Sequence, residues 1–123
     1  MKILVCDDST LMRRMVRDLL EKEHEIFEAK NGRAAVEMYD EHEPDLVFMD
    51  IVMPEITGME ALGTIVGKHP NAFVVMLSSI GTKENLKAAI DGGAADFIQK
   101  PVKPEVILGA VAKATKKLAA KGR

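Results

Sequence analysis

Five short apolar runs separated by longer segments of helical period predict an α/β protein, a doubly wound (βα)5 open parallel sheet. Three of the runs, Ile3-Leu4-Val5-Cys6, Leu46-Val47-Phe48-Met49 and Phe73-Val74-Val75-Met76-Leu77, are apolar almost throughout, as strands covered by helices on both faces must be. The segments between them are long enough for helical crossovers, and crossovers between parallel strands are right-handed.

The elements follow in order. After the first run, Leu11, Met12, Met15, Val16, Leu19 and Leu20 recur three and four apart, the stripe of an amphipathic helix. Asp8-Ser9 stands where that helix needs a cap. The second run, Glu25-Ile26-Phe27-Glu28, alternates with charge and reads as an edge strand, and Asn31 caps the helix behind it. Thr57 with Glu60 forms a capping box for the third helix, whose apolar residues are Leu62, Ile65 and Val66 and which Pro70 ends. Leu86, Ala89 and Ile90 mark the fourth helix, stopped at Gly92-Gly93. Phe97-Ile98 is the fifth run, and Val106, Ile107, Ala110, Val111 and Leu118 stripe the last helix. With no repeat or linker, residues 1–123 are expected to form a single domain; only the tail, Lys113 to Arg123, shifts in composition.

Composition narrows the function. Hydrophobic residues make up 47% of the chain, enough for one sizeable core, which excludes intrinsic disorder. Lysine and arginine number 17 against 19 acidic residues, a net charge of -2, which argues against a general nucleic-acid binder. The longest apolar run, Ala72 to Leu77, is too short to cross a bilayer, and the N-terminus carries no apolar signal region. The single cysteine, Cys6, permits no internal disulfide and suits a reducing compartment. A cytoplasmic monomer is expected, with no nucleic acid and no membrane among its partners.

In an open α/β sheet, ligands bind beyond the carboxyl ends of the strands. The residues there are Asp7 and Asp8 after the first run, Asp50 after the third, Ser78 and Ser79 after the fourth, and Lys100-Pro101 after the fifth. Three carboxylates a few ångströms apart repel by about 4 kcal/mol per close pair at an effective dielectric of ~20. Such a group needs a cation or a retained proton. Oxygen ligands with spare water positions suit Mg²⁺, and Lys100 adds a fixed positive charge. Mg²⁺, a lysine and a hydroxyl together can hold a dianionic phosphoryl group, and a carboxylate among them can be its acceptor. Singly, each residue has a plainer reading: Asp8-Ser9 as a helix cap, Asp50 as a turn residue, Ser78 as a strand-end hydroxyl, Lys100 as a surface charge. Their joint placement after four of the five strands favours the chemical reading.

Asp7-Asp8, Asp50 followed by Met53-Pro54 and Gly58, Ser78-Ser79, and Lys100-Pro101 together resemble the response-regulator receiver domain over essentially the whole chain. Among receivers the chain is similar to the single-domain chemotaxis type. The resemblance implies a flavodoxin-like strand order 2-1-3-4-5. It implies that Asp50 accepts a phosphoryl group from a histidine kinase. Asp8, Asp50 and the backbone carbonyl of Val52 would bind Mg²⁺, with Asp7 assisting through water. Lys100 would pair with the acceptor carboxylate, Ser78 and the neighbouring Ser79 would face the phosphoryl group, and Phe97 would be the switch aromatic. It also implies a cis Lys100–Pro101 peptide. Output would pass through the face made by the fourth helix, fifth strand and fifth helix to a downstream protein target, with Lys83, Lys87 and Lys103 near the contact.

Two positions depart from the usual pattern. Val52, two residues beyond Asp50, is apolar where many relatives are polar, and Ile80, two beyond Ser78, is likewise bulky and apolar. They are expected to hinder water at the phosphoryl group and to slow dephosphorylation. An aspartyl phosphatase is disfavoured because its second acid would stand where Val52 does. A phosphorelay intermediate and a docking receiver that takes no phosphate remain the other functions to separate. The eight methionines read as core filler, and His24, His42 and His69 as surface residues without metal-ligand spacing.

Overall fold

The computed structural model describes residues 1–121. Strands and helices alternate: β1 Lys2–Cys6, α1 Thr10–Leu20, β2 Glu25–Ala29, α2 Gly32–His42, β3 Leu46–Asp50, α3 Gly58–Lys68, β4 Val74–Ser78, α4 Lys83–Asp91, β5 Asp96–Gln99 and α5 Pro104–Lys121. The end of the basic tail, residues 122 and 123, lies outside the described residues.

All four strand pairings are parallel and the order is β2-β1-β3-β4-β5, as the resemblance implied. In a strand, successive side chains point to opposite faces, and both faces of this sheet are covered. Ile3, Val5, Phe48, Val75 and Leu77 pack with Val16, Leu20, Ile107, Ala110 and Ala114, so α1 and α5 cover one face. Leu4, Cys6, Val47, Met49 and Met76 pack with Ala35, Tyr39, Leu62, Ile65 and Ala89, so α2, α3 and α4 cover the other. Cys6 is fully buried, and burial followed by the charge of Asp7 pushes its thiol far above the ordinary value.

The expected start signals operate. Asn31 Oδ1 accepts from Ala34 N–H at 2.8 Å, and Thr57 and Glu60 close a reciprocal capping box. Ser9 Oγ, rather than Asp8, caps α1 by accepting from Met12 N–H. Gly93, just past α4, has φ 104°, a conformation that glycine adopts without a Cβ penalty.

Three stripes are narrower than their spacing suggested. Leu11 is 81% exposed, because it lies in the first turn of α1, beyond the end of the strands it would cover. In α4 only Ala89 is buried; Leu86 and Ile90 flank it in solvent. This helix sits beside β5, the edge of the sheet, where no further strand exists to receive them. Val106 and Leu118 of α5 are likewise exposed.

Candidate functional site

The sheet places the candidate residues at one edge. Because β1 and β3 are neighbours, the turn after β1 and the last residue of β3 bring carboxylate oxygens of Asp7, Asp8 and Asp50 within 4.8 Å of one another. β4 adds Ser78 on the far side of Asp50, and the chain leaving β5 adds Lys100, whose N–H donates to the Ser78 carbonyl at 2.7 Å. The Lys100–Pro101 peptide is cis.

The three acids stand in different surroundings. Asp7 is fully buried and engaged: its Oδ1 accepts from Ser9 N–H at 2.9 Å and its Oδ2 from Lys100 Nζ at 3.0 Å. Asp50 is buried, accepting from Val52 N–H at 3.3 Å on one oxygen and from Lys100 Nζ at 3.3 Å on the other. Asp8 is exposed and, among the described residues, receives no hydrogen bond. Burial, then the charge of Asp7, raises the pKa of Asp50, and Lys100 only partly offsets the rise. Burial also opposes the charge on Lys100, but the hydrogen bond to Asp7 and the charges of Asp50 and Asp7 hold its pKa above the ordinary lysine value.

The loop from β3 to α3 is pressed against Asp50. Gly58 donates its N–H to the Ile51 carbonyl at 2.7 Å, and a Cβ on Gly58 would stand 1.9 Å from the Asp50 carbonyl oxygen. Glu55 in this loop takes φ 67°, in the left-handed region.

Ser78 is near Asp50 but turned from it. Its Oγ accepts from Ile80 N–H at 3.0 Å and donates to the Ile80 carbonyl at 3.0 Å, closing a small turn. Asn85 Nδ2 donates to the same carbonyl at 3.0 Å, tying that turn to α4. Ser79 is exposed. Phe97 is half-buried beside a groove of about 260 Å³ lined by Gly81, Thr82, Lys83, Leu86 and Gln99. Val52 and Ile80, the two apolar departures, stand 64% and 55% exposed.

A second charged group went unread in the sequence. Glu28 on β2 takes Arg13 Nε at 3.0 Å on one oxygen and Arg17 Nε at 2.7 Å on the other. Arg13 Nη1 then reaches the backbone carbonyl of Asp7 at 2.6 Å. The visible signal was a charge in the second strand opposite arginines four apart on the first helix.

A doubly wound sheet with acids after β1 and β3, a hydroxyl after β4 and a lysine followed by a cis proline after β5 defines a receiver-type site. The model of the response regulator receiver domain matches residues 3–112, and the chain belongs to that family. It is 45% identical over 111 residues to the chemotaxis protein CheY of Halobacterium salinarum, covering 89% of this chain and 92% of the relative. It is 44% identical over 114 residues to the CheY of Bacillus subtilis, covering 91% and 95%. Among solved structures, it is similar to a chain of the CheX-CheY-BeF3-Mg+2 complex from Borrelia burgdorferi, with TM-score 0.86, 30% identity and coverage of 93% and 88%.

The donor set fits a hard divalent cation. Asp8 and the free lone pairs of Asp50 supply oxygens on the open side, while Asp7 has both of its oxygens already engaged. No helix is long and apolar enough to cross a membrane among the described residues.

Proposed function

We propose that this single domain is a phosphorylation-activated response regulator that accepts a phosphoryl group on Asp50 from the phosphohistidine of a histidine kinase. The observation that carries the reading is Lys100 Nζ seated between Asp7 Oδ2 and Asp50 Oδ2 at 3.0 and 3.3 Å, a buried acceptor carboxylate beside a fixed cation. Asp8, Asp50 and the Val52 carbonyl would hold Mg²⁺, with Asp7 assisting through water; the ion would supply neutralising charge for the phosphoryl oxygens.

A carboxylate oxygen of Asp50 attacks phosphorus in line. The bond from phosphorus to the donor histidine nitrogen breaks, its electron pair stays on the imidazole, and an acyl phosphate forms. Lys100, already bonded to Asp50, shifts its remaining donors onto the phosphoryl oxygens. Ser78 leaves its turn with Ile80 to donate to the same group, and Ser79 leaves the mouth open. The rearranged loop reshapes the α4-β5-α5 surface beside Phe97, where Lys83, Lys87, Leu86 and Ile90 are exposed to a downstream target. The similarity to chemotaxis proteins supports a chemotaxis pathway. The chain would act there as a cytoplasmic monomer.

Exposed Val52 and Ile80 would leave an attacking water without a polar partner at the mouth of the site, so the acyl phosphate is expected to persist for minutes. The test is intact-mass measurement after incubation with acetyl phosphate, with and without Mg²⁺, alongside Asp50→Asn. Gain of one phosphoryl group that requires both Mg²⁺ and Asp50 supports the reading. No gain under any condition sinks it in favour of a docking module, and a phosphoryl lifetime of seconds removes the shielding role of Val52 and Ile80.

A further inference from the structure

The charged group behind the acids has no part in the chemistry above. Arg13 is on α1, Glu28 on β2 and Asp7 in the turn just after β1, so the group ties that turn to two elements. The Arg13 side chain is only 14% exposed. Its planar fork makes three bonds in different directions, Nε to Glu28 Oε1 at 3.0 Å, Nη1 to the Asp7 carbonyl at 2.6 Å and Nη2 to Thr10 Oγ1 at 3.4 Å. Glu28 is held in turn by Arg17 Nε at 2.7 Å, and Arg17 also reaches the Ile26 carbonyl at 3.2 Å. Burial works against the charge on Glu28, but the bonds from Arg17 and Arg13 outweigh it and lower its pKa.

The Asp7 carbonyl belongs to the peptide unit that joins Asp7 to Asp8. Fixing that oxygen fixes the plane of the unit, and so the direction in which Asp8 leaves the backbone. Asp8 needs such help. It is exposed and, among the described residues, receives no hydrogen bond, whereas Asp7 is pinned by Ser9 and Lys100. A lone flexible carboxylate loses conformational freedom when it takes up an ion, and a pre-set backbone reduces that cost.

We infer that Arg13, held by Glu28, is a positioning residue for divalent-cation binding: it sets the aim of Asp8 through the Asp7 carbonyl without touching the ion. The inference rests on the metal-assisted phosphorylation proposed above. A lysine at this position would keep the positive charge and lose the fork. Charge and geometry are therefore separable.

The experiment is Mg²⁺ titration of the wild type, Arg13→Lys, Arg13→Met and Glu28→Gln, followed by amide chemical shifts near Asp8. Phosphorylation by acetyl phosphate is measured across the same Mg²⁺ range. Mg²⁺ affinity is expected to fall roughly 10-fold in Arg13→Lys and Arg13→Met, the scale seen when an outer residue orienting a metal ligand is lost. Glu28→Gln should fall in the same direction by less. The phosphorylation rate at saturating Mg²⁺ should stay close to wild type, so only the half-saturating concentration moves. A general loss of fold would instead lower both, and far-ultraviolet circular dichroism of the variants identifies it. Arg13→Lys within about 2-fold of wild type overturns the inference, as does tighter binding in Arg13→Met, which would make the arginine a repelling charge and no more. If the wild type itself shows no Mg²⁺-dependent phosphorylation, it is the proposed function that fails; the affinity titration still judges Arg13.

Discussion

Asp40 and Asp50 lie toward opposite ends of the sheet, and their surroundings drive their acidity in opposite directions. Asp40, in the last turn of α2, accepts from His69 at 3.1 Å and Lys68 at 3.0 Å, and these two partners lower its pKa. Asp50 shares one lysine with Asp7 and is buried beside it, so its pKa rises. At the amino edge Asp40 has two nitrogen partners, Lys68 and His69; at the carboxyl edge three acids gather around a single lysine. The amino edge is thus built for stability. The carboxyl edge holds an unmet demand for positive charge, which an incoming cation can satisfy.

Substitutions sharpen that contrast, starting with backbone packing in α3, whose two ends serve the two edges. Gly58 touches the Asp50 carbonyl so closely that a methyl group has no room, whereas nothing lies within 4 Å of a Cβ on Gly67. Gly58→Ala is expected to lower stability by about 2–3 kcal/mol through forced backbone shifts. Gly67→Ala should raise it by about 0.5 kcal/mol through helix propensity. Urea unfolding of the two variants checks both signs, and equal effects would remove the distinction between the ends.

The acids themselves give the next largest effect. A raised pKa means that folded Asp50 holds its proton more readily than the unfolded chain does. Ionised Asp50 therefore costs stability at neutral pH, and the cost fades as pH falls through the folded pKa. Asp50→Asn should raise Tm at pH 7, with the gain shrinking in acid. Asp40 has the reverse sign: its contribution is full above the ordinary carboxylate pKa and is lost as pH falls through the lowered folded value. Asp40→Asn should lower Tm at pH 7, by the smaller amount because its pairs are half in solvent. Thermal melts from pH 7 to pH 3 test this, and parallel curves for the two variants would contradict it.

An effect as small as that of Gly67→Ala is expected at Glu55, whose φ of 67° disfavours a side chain and whose pair with Arg33 is long and exposed at 3.7 Å. Glu55→Gly should gain about 0.5 kcal/mol in urea unfolding, the relief of the left-handed conformation less the entropy of glycine. A loss would show that Arg33 contributes more than an exposed pair usually does.

Much of this was legible in the sequence because it rests on local chemistry. Thr57 and Glu60 are three apart and cap one helix end; Asn31 needs only its own turn. The acids, hydroxyl and lysine could be gathered because strand ends share one edge whatever the details of packing. Orientation was not legible. Ser78 faces Ile80 rather than Asp50, a choice among rotamers that its place in the chain does not decide. Leu86 and Ile90 have core-like spacing but stand at the sheet's edge, which depends on strand order. Arg13 was hidden because its partners lie on β2 and in the turn after β1, with Glu28 fifteen residues away in sequence.

The sheet order also bears on how the site is assembled as the chain is made. β1 is synthesised first yet lies inside the sheet, between β2 and β3, so its second neighbour arrives only with Leu46–Asp50. At that moment the acids can meet, but their lysine does not yet exist: Lys100 comes 93 residues after Asp7 and 50 after Asp50. It is delivered by the chain leaving the last strand, at the far edge of the sheet. A nascent chain released before that point carries the repulsion without its counter-charge. The acidic edge therefore gains its own cation only once β5 has been made.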